Sequence, residues 1–155
     1  MGSNPHEKPD RAGHISCAPL SFVTALHHLS CPSGRAMSRR RRILVVEDDE
    51  GVRRMYRSAL AFGGFDVLEA RDGMTALRLV EEKRPDGIIL DLGLPGVDGF
   101  TVLQDVAART TTQRIPIIVV TGSTENLESL NVSCVVRKPI SPERLVAEVL
   151  KCLPE

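Results

Sequence analysis

Glu47, Asp48, Asp49 and Glu50 follow directly on the apolar run "ILVV", residues 43–46. Later aliphatic runs also end in groups able to do chemistry: Asp91 closes "DGIILD", Thr121 follows "IPIIVV", and Lys138, with Pro139 behind it, closes "SCVVRK". If these ends lie side by side, three carboxylates (Glu47, Asp48, Asp91), a hydroxyl and an ammonium converge on one shallow pocket. Two carboxylates about 4 Å apart repel by roughly 4 kcal/mol at an effective dielectric near 20, so three together call for a cation. Hard oxygen donors with no His or Cys beside them favour Mg²⁺, which keeps several waters and is usually shared with phosphate oxygens. The acids are expected to end a buried strand because they form a metal site at its mouth.

That convergence depends on the elements between. Strands are predicted at 43–46, 66–70, 86–91, 115–120 and 133–138; several are apolar without alternation, the pattern of strands covered on both faces. Between the first two, "GVRRMYRSALAF" places Val52, Met55, Tyr56, Ala59 and Leu60 on one helical face, with Asp49 as its cap and Gly63 and Gly64 as its stop. Further helices are predicted over "GMTALRLVEEKR", ended by Pro85, and over "DGFTVLQDVAAR". The last, "SPERLVAEVLKCL", opens with Ser141 as N-cap and Pro142 at the first helical position, and is expected to turn Leu145, Val146, Val149, Leu150 and Leu153 inward. Alternating strands and helices imply an α/β fold, a doubly wound five-stranded parallel sheet with helices on both faces. Ligands of such sheets bind beyond the carboxyl ends of the strands, where strand order reverses.

Composition narrows the alternatives. The 155 residues allow one domain with a full core, and 20 basic against 20 acidic side chains give no bias toward nucleic acid. With no Trp and one Tyr, base-stacking or sugar-stacking surfaces are disfavoured and the core must be aliphatic. Cys17, Cys31, Cys134 and Cys152 are widely spaced with no C-x-x-C pair, so reduced thiols in a cytoplasmic protein are expected. No apolar stretch is long enough to span a bilayer, and "ISCAPLSFVTALHHLSC" is interrupted by Pro19, His27 and His28, a poor signal peptide. Residues 1–38 are rich in Pro, Gly, Ser and His and read as a flexible N-terminal tail. Met37 could itself serve as a natural first residue, which would make what precedes it non-native. Arg39 to Arg42 are expected to be a solvated lead-in to the first strand.

Taken in order and spacing, "ILVVEDDE", "IILDLGLPGVDGF", "IIVVTGS" and "VVRKPIS" resemble the motifs of response-regulator receiver domains, the CheY-like phosphoacceptors of two-component signalling. The resemblance covers nearly everything outside the tail and assigns residues 39–155 to a receiver domain. It implies that Asp91 takes a phosphoryl group from a sensor histidine kinase or a histidine phosphotransfer protein. It further implies that Asp48 and Asp91 bind Mg²⁺ directly, that Gly93 lends its backbone carbonyl and that Glu47 acts through water. Thr121 would hydrogen-bond the phosphoryl group, Lys138 would contact one of its oxygens, and Pro139 would follow Lys138 through a cis bond. Such a domain phosphorylates and dephosphorylates itself with Mg²⁺ and is not a turnover enzyme on a separate substrate. Because the chain ends at Glu155, just after the last helix, it is expected to carry no DNA-binding output domain and to signal through a protein partner or a phosphorelay.

Departures from the pattern put its output in question. The family's switch aromatic, three residues before the lysine, is Val135 here. The 16 residues from 122 to 137 leave room only for a shortened fourth helix, between the fourth and fifth strands. Gly93 and Ser123 set small side chains beside the acceptor, leaving water access open without directing it. Two enzymic or cofactor readings fit less well: "TGSTE" looks like a flavodoxin phosphate loop but follows the fourth strand instead of the first, and a haloacid-dehalogenase-type phosphatase needs a second acid where Gly93 stands. A different class of function remains open, a receiver-like interaction module that phosphorylation does not switch.

Overall fold

The computed structural model describes residues 39–122 and 132–154, which belong to one compact unit. The expected tail, Ser123 and the shortened fourth helix fall outside these residues. Strands β1 (Arg42–Val46), β2 (Asp66–Ala70), β3 (Gly87–Leu90), β4 (Ile117–Thr121) and β5 (Cys134–Arg137) form one parallel sheet in the order β2-β1-β3-β4-β5. Helices α1 (Glu50–Phe62), α2 (Gly73–Lys83), α3 (Gly99–Ala108) and α4 (Pro142–Cys152) connect or follow them.

Period-two alternation divides each central strand between two cores. Leu44 and Val46 of β1, with Ile88 and Leu90 of β3, face a cluster completed by Ala76 and Val80 of α2 and Val102 and Val106 of α3. Ile43 and Val45, with Ile89 and Ile118, face the other side, where Tyr56 and Leu60 of α1 and Leu145 and Val149 of α4 cover them. Double coverage is why β1, β3 and β4 read as uninterrupted aliphatic runs, whereas the edge strands β2 and β5 are only partly buried.

Chain direction is controlled at the helix starts. Asp49, Asp72, Asp98 and Ser141 each accept a hydrogen bond from the backbone N–H three residues on, at 2.8, 2.7, 2.7 and 3.3 Å. These bonds satisfy donors that the helix itself cannot. The bonds from Thr75 and Thr101 hold the Asp72 and Asp98 carboxyls below the usual 3.8. A carboxylate with a depressed folded-state pKa stabilises fully above its ordinary value and loses that contribution as pH falls through the folded one. Asp72→Ala is expected to cost about 1 kcal/mol in urea denaturation at neutral pH, and its difference from the native chain should vanish in strong acid. Gly64, at φ 89°, turns the chain after α1 through a conformation open to glycine.

Two expectations need correction. Leu150 is 58% exposed, because each helical residue turns about 100° and Leu150 rotates away from the face that Leu145 and Val149 bury. The basic lead-in is solvated at Arg39 and Arg40; the Arg39 side chain, 63% exposed, also bonds Asp86 at 2.8 Å, and Asp86 accepts the Arg42 backbone N–H at 2.6 Å at the start of β1. Cys134 and Cys152 are a disulfide, not separate thiols, since the last turn of α4 packs beside the start of β5 with the Cα atoms 6.4 Å apart. Cys17 and Cys31 lie outside the described residues.

Candidate metal and phosphoryl site

Strand order places the site. The chain runs from β1 outward to β2 and then crosses to β3 on the other side of β1, so the crevice beyond β1 and β3 is the topological switch point. Glu47 and Asp48 leave β1 there, Asp91 leaves β3, Thr121 ends β4 and Lys138 follows β5. Glu47, Asp48 and Asp91 each offer a carboxylate oxygen within 4.8 Å of the others. Glu47 and Asp91 are buried, and Asp48 stands at the solvent side.

Lys138 bridges the two buried acids. Its Nζ donates to Glu47 Oε2 at 2.7 Å and to Asp91 Oδ2 at 2.6 Å. The other Asp91 oxygen, Oδ1, accepts the Gly93 backbone N–H at 3.1 Å. Burial pushes the Glu47 carboxyl above its usual 4.5, although the bond and charge of Lys138 oppose that rise. Burial also works against the Lys138 ammonium, but its bonds to Asp91 and Glu47 outweigh burial and raise its pKa. The lysine therefore stays charged through the neutral range. A cis peptide bond joins Lys138 to Pro139, as the resemblance implied. Beside Lys138 lies an open groove of about 350 Å³ lined by Val52, Met55, Tyr56, Pro139 and Ile140.

Glu47, Asp48, Asp91, Gly93, Thr121 and Lys138 all stand at this end of the sheet, whereas Ser123 lies outside the described residues. Thr121 is 1% exposed, and its backbone carbonyl accepts the Lys138 N–H at 3.0 Å, tying the ends of β4 and β5 together. Gly99 explains how Asp91 can sit so close to α3: a Cβ there would collide with the Asp91 carbonyl and the Leu92 Cα.

Arg53 escaped the sequence reading. Its guanidinium donates to the backbone carbonyls of Glu47 at 2.8 Å and Asp48 at 3.1 Å and faces Glu69 at 3.7 Å. These carbonyls belong to the turn that aims the two acids, so Arg53 fixes the backbone beneath them. An arginine one turn into a helix gives little warning of this, since the same residue on a solvated face would look identical.

Hard oxygen donors at this spacing, with no nitrogen or sulfur ligand among them, suit a hard divalent cation. An ammonium already fixed against the deepest carboxylates suits a doubly charged group arriving at the same mouth. A doubly wound sheet with acids and a lysine at its switch point defines an α/β domain built for charge-dense oxygen chemistry. The family model for the response regulator receiver domain matches residues 43–150, and the chain belongs to that family, the receiver domain of two-component response regulators. Over 113 residues it is 37% identical to the response regulator MprA of Mycobacterium sp. strain KMS, a match covering 70% of this chain and 48% of that protein. MprA of Mycobacterium leprae is 36% identical over 113 residues, covering 70% and 49%. The chain thus spans about half the length of the curated relatives it matches. Among solved structures, chemotaxis response regulator CheY4 of Vibrio cholerae superposes with a TM-score of 0.69 at 27% identity, covering 74% of this chain and 99% of that one. Among the described residues no helix is long and apolar enough to cross a membrane.

Proposed function

We propose that Asp91 accepts a phosphoryl group from the phosphohistidine of a sensor kinase or phosphotransfer protein in the cytoplasm, with Mg²⁺ held by Asp48, Asp91 and the Gly93 carbonyl and by Glu47 through water. The observation that carries this reading is the double contact of Lys138 with Asp91 and Glu47, which puts a permanent cation against the buried carboxylate at the switch point. Asp91 attacks phosphorus in line as its carboxylate; its new O–P bond forms as the P–N bond breaks, and the imidazole, already protonated on its other ring nitrogen, leaves neutral with the P–N electron pair. When bound, Mg²⁺ would neutralise charge on the carboxylates and on the phosphoryl oxygens. Lys138 moves its contact from Asp91 to a phosphoryl oxygen, and the Thr121 hydroxyl hydrogen-bonds another. The acyl phosphate brings up to about two negative charges in place of one, and its pull on Thr121 and Lys138 acts on the ends of β4 and β5.

Incubation of the full chain with a small-molecule phosphodonor and Mg²⁺ is expected to add the mass of one phosphoryl group. No gain in mass overturns the reading. Because metal binding needs Glu47 and its neighbours deprotonated, and burial raises the Glu47 carboxyl above its usual 4.5, Mg²⁺ affinity should fall as acidification protonates Glu47, starting at a higher pH than for an ordinary carboxylate. Magnesium titrations followed by calorimetry at stepped pH check this; an affinity flat from neutral pH down to 4.5 contradicts it.

A second reading keeps one observation in its favour. Val135, where the family carries its switch aromatic, is an aliphatic side chain 41% exposed on the edge strand, so no large ring is there to swing against Thr121. If partner affinity is the same with and without phosphorylation, the domain is an interaction module and the switch is absent.

A further inference from the structure

We propose that Cys134 and Cys152 form a reversible thiol–disulfide exchange site, whose oxidation state sets how firmly α4 is held to the edge strand β5. Neither cysteine is part of the acid pocket. They join the first residue of β5 to the last residue of α4, closing a loop of sequence separation 18 that contains Lys138, Pro139 and almost the whole of α4.

Their position favours exchange over a buried structural role. Both side chains are only partly buried and pack against the rim of the α1–α4 core, outside its buried set. That core is complete without them: Val136, Leu145, Val149 and Leu153 already bury the inner faces of β5 and α4. Among the described residues β5 pairs only with β4, and Cys152 is the last residue of its helix. Small domains unable to build a core are the ones that depend on disulfides, and this domain buries two full aliphatic layers.

The exchange partner is a low-molecular-weight disulfide of the glutathione class in the oxidising direction and a dithiol in the other. One cysteine thiolate attacks the small disulfide, forming a mixed disulfide and expelling one thiolate. The second cysteine loses its proton and attacks the protein sulfur of that mixed bond, expelling the other. Two protein thiols give up two electrons and two protons, and the small disulfide becomes two thiols. With the bond made, α4 is pinned at its end to β5; with it open, the last turn is held by its own helical hydrogen bonds, closed by Leu153 N–H to the Val149 carbonyl at 3.1 Å, and by packing.

The test uses the full chain with Cys17→Ser and Cys31→Ser, so that only this pair can respond. The protein is equilibrated in glutathione buffers from fully reduced to fully oxidised, quenched in acid, alkylated and analysed by intact and peptide mass. The expected result is one reversible transition, losing the mass of two hydrogens and crosslinking the Cys134 and Cys152 peptides while the circular dichroism stays native. Amide exchange in 149–152 should be at least about tenfold faster in the reduced form. Thiols that stay alkylatable at every buffer ratio, a bond that resists dithiothreitol until the protein unfolds, or equal amide exchange in the two states each overturn the proposal. None of these outcomes depends on phosphoryl transfer, so failure here and failure of the phosphoacceptor reading are separately visible.

Discussion

Asp91→Asn is expected to lose phosphoryl uptake by at least about a thousandfold, because it removes the proposed nucleophile while leaving the pocket's shape intact. The amide is nearly isosteric: its oxygen can still accept the Gly93 N–H that Oδ1 accepts at 3.1 Å, while its NH2 takes the place of Oδ2 and ends the 2.6 Å contact with Lys138. Lys138 keeps Glu47, at 2.7 Å, as a full ionic partner. Taking one charge out of a crowded set of carboxylates relieves repulsion and offsets the lost Lys138 contact, so the variant should stay folded, within about 1 kcal/mol of the native chain in chelator. An intact-mass time course with phosphodonor and Mg²⁺ reads the first effect and urea denaturation the second. Uptake equal to the native chain would move the acceptor elsewhere; lost uptake together with unfolding would leave a merely structural role for Asp91.

Lys138→Met carries the second large effect, and here stability moves as well as chemistry. The substitution leaves Glu47 and Asp91 buried without the cation that both contact. Removing one partner of a buried ionic cluster typically costs 3–5 kcal/mol; with the Lys138 side chain 24% exposed, water recovers part of that, and about 2–4 kcal/mol is expected in chelator at neutral pH. The sign with pH follows from Glu47, whose carboxyl already sits above its usual 4.5 and rises further without the ammonium. An acid with a raised folded-state pKa contributes stability fully below its unfolded value and loses it as pH climbs through the folded one. The deficit should therefore shrink as pH falls toward 4.5, and Mg²⁺ should reduce it at neutral pH. Denaturation at two pH values with and without Mg²⁺ measures both. A deficit below about 0.5 kcal/mol under all conditions would mean that the Lys138 contacts are of the weak, solvated kind.

Much of this architecture is written in the strand runs. Ile43 to Val46 all face burial, two residues to each layer, and such runs separated by amphipathic helices admit few arrangements besides a doubly wound sheet. The acid and lysine positions were legible for the same reason: chemistry at the ends of parallel strands has one place to converge. Other features carry weaker local signals. Leu150 has the residue type of a core position but the wrong rotation about the helix. Arg53 acts through backbone carbonyls, which side-chain patterns do not report. The pairing of Cys134 with Cys152 depends on how the end of α4 meets the start of β5, a tertiary contact that spacing alone does not encode.

The central claim is that Glu47, Asp48, Asp91 and Lys138 act as one cradle for a transferable phosphoryl group. Its most direct test is peptide mapping of the full chain after incubation with a phosphodonor, with the acyl phosphate trapped by borohydride reduction. The account predicts a single modified residue, Asp91, formed with Mg²⁺ and absent in chelator. Modification on Asp48 or Glu47 instead, or at Asp91 to the same extent without the metal, would contradict it.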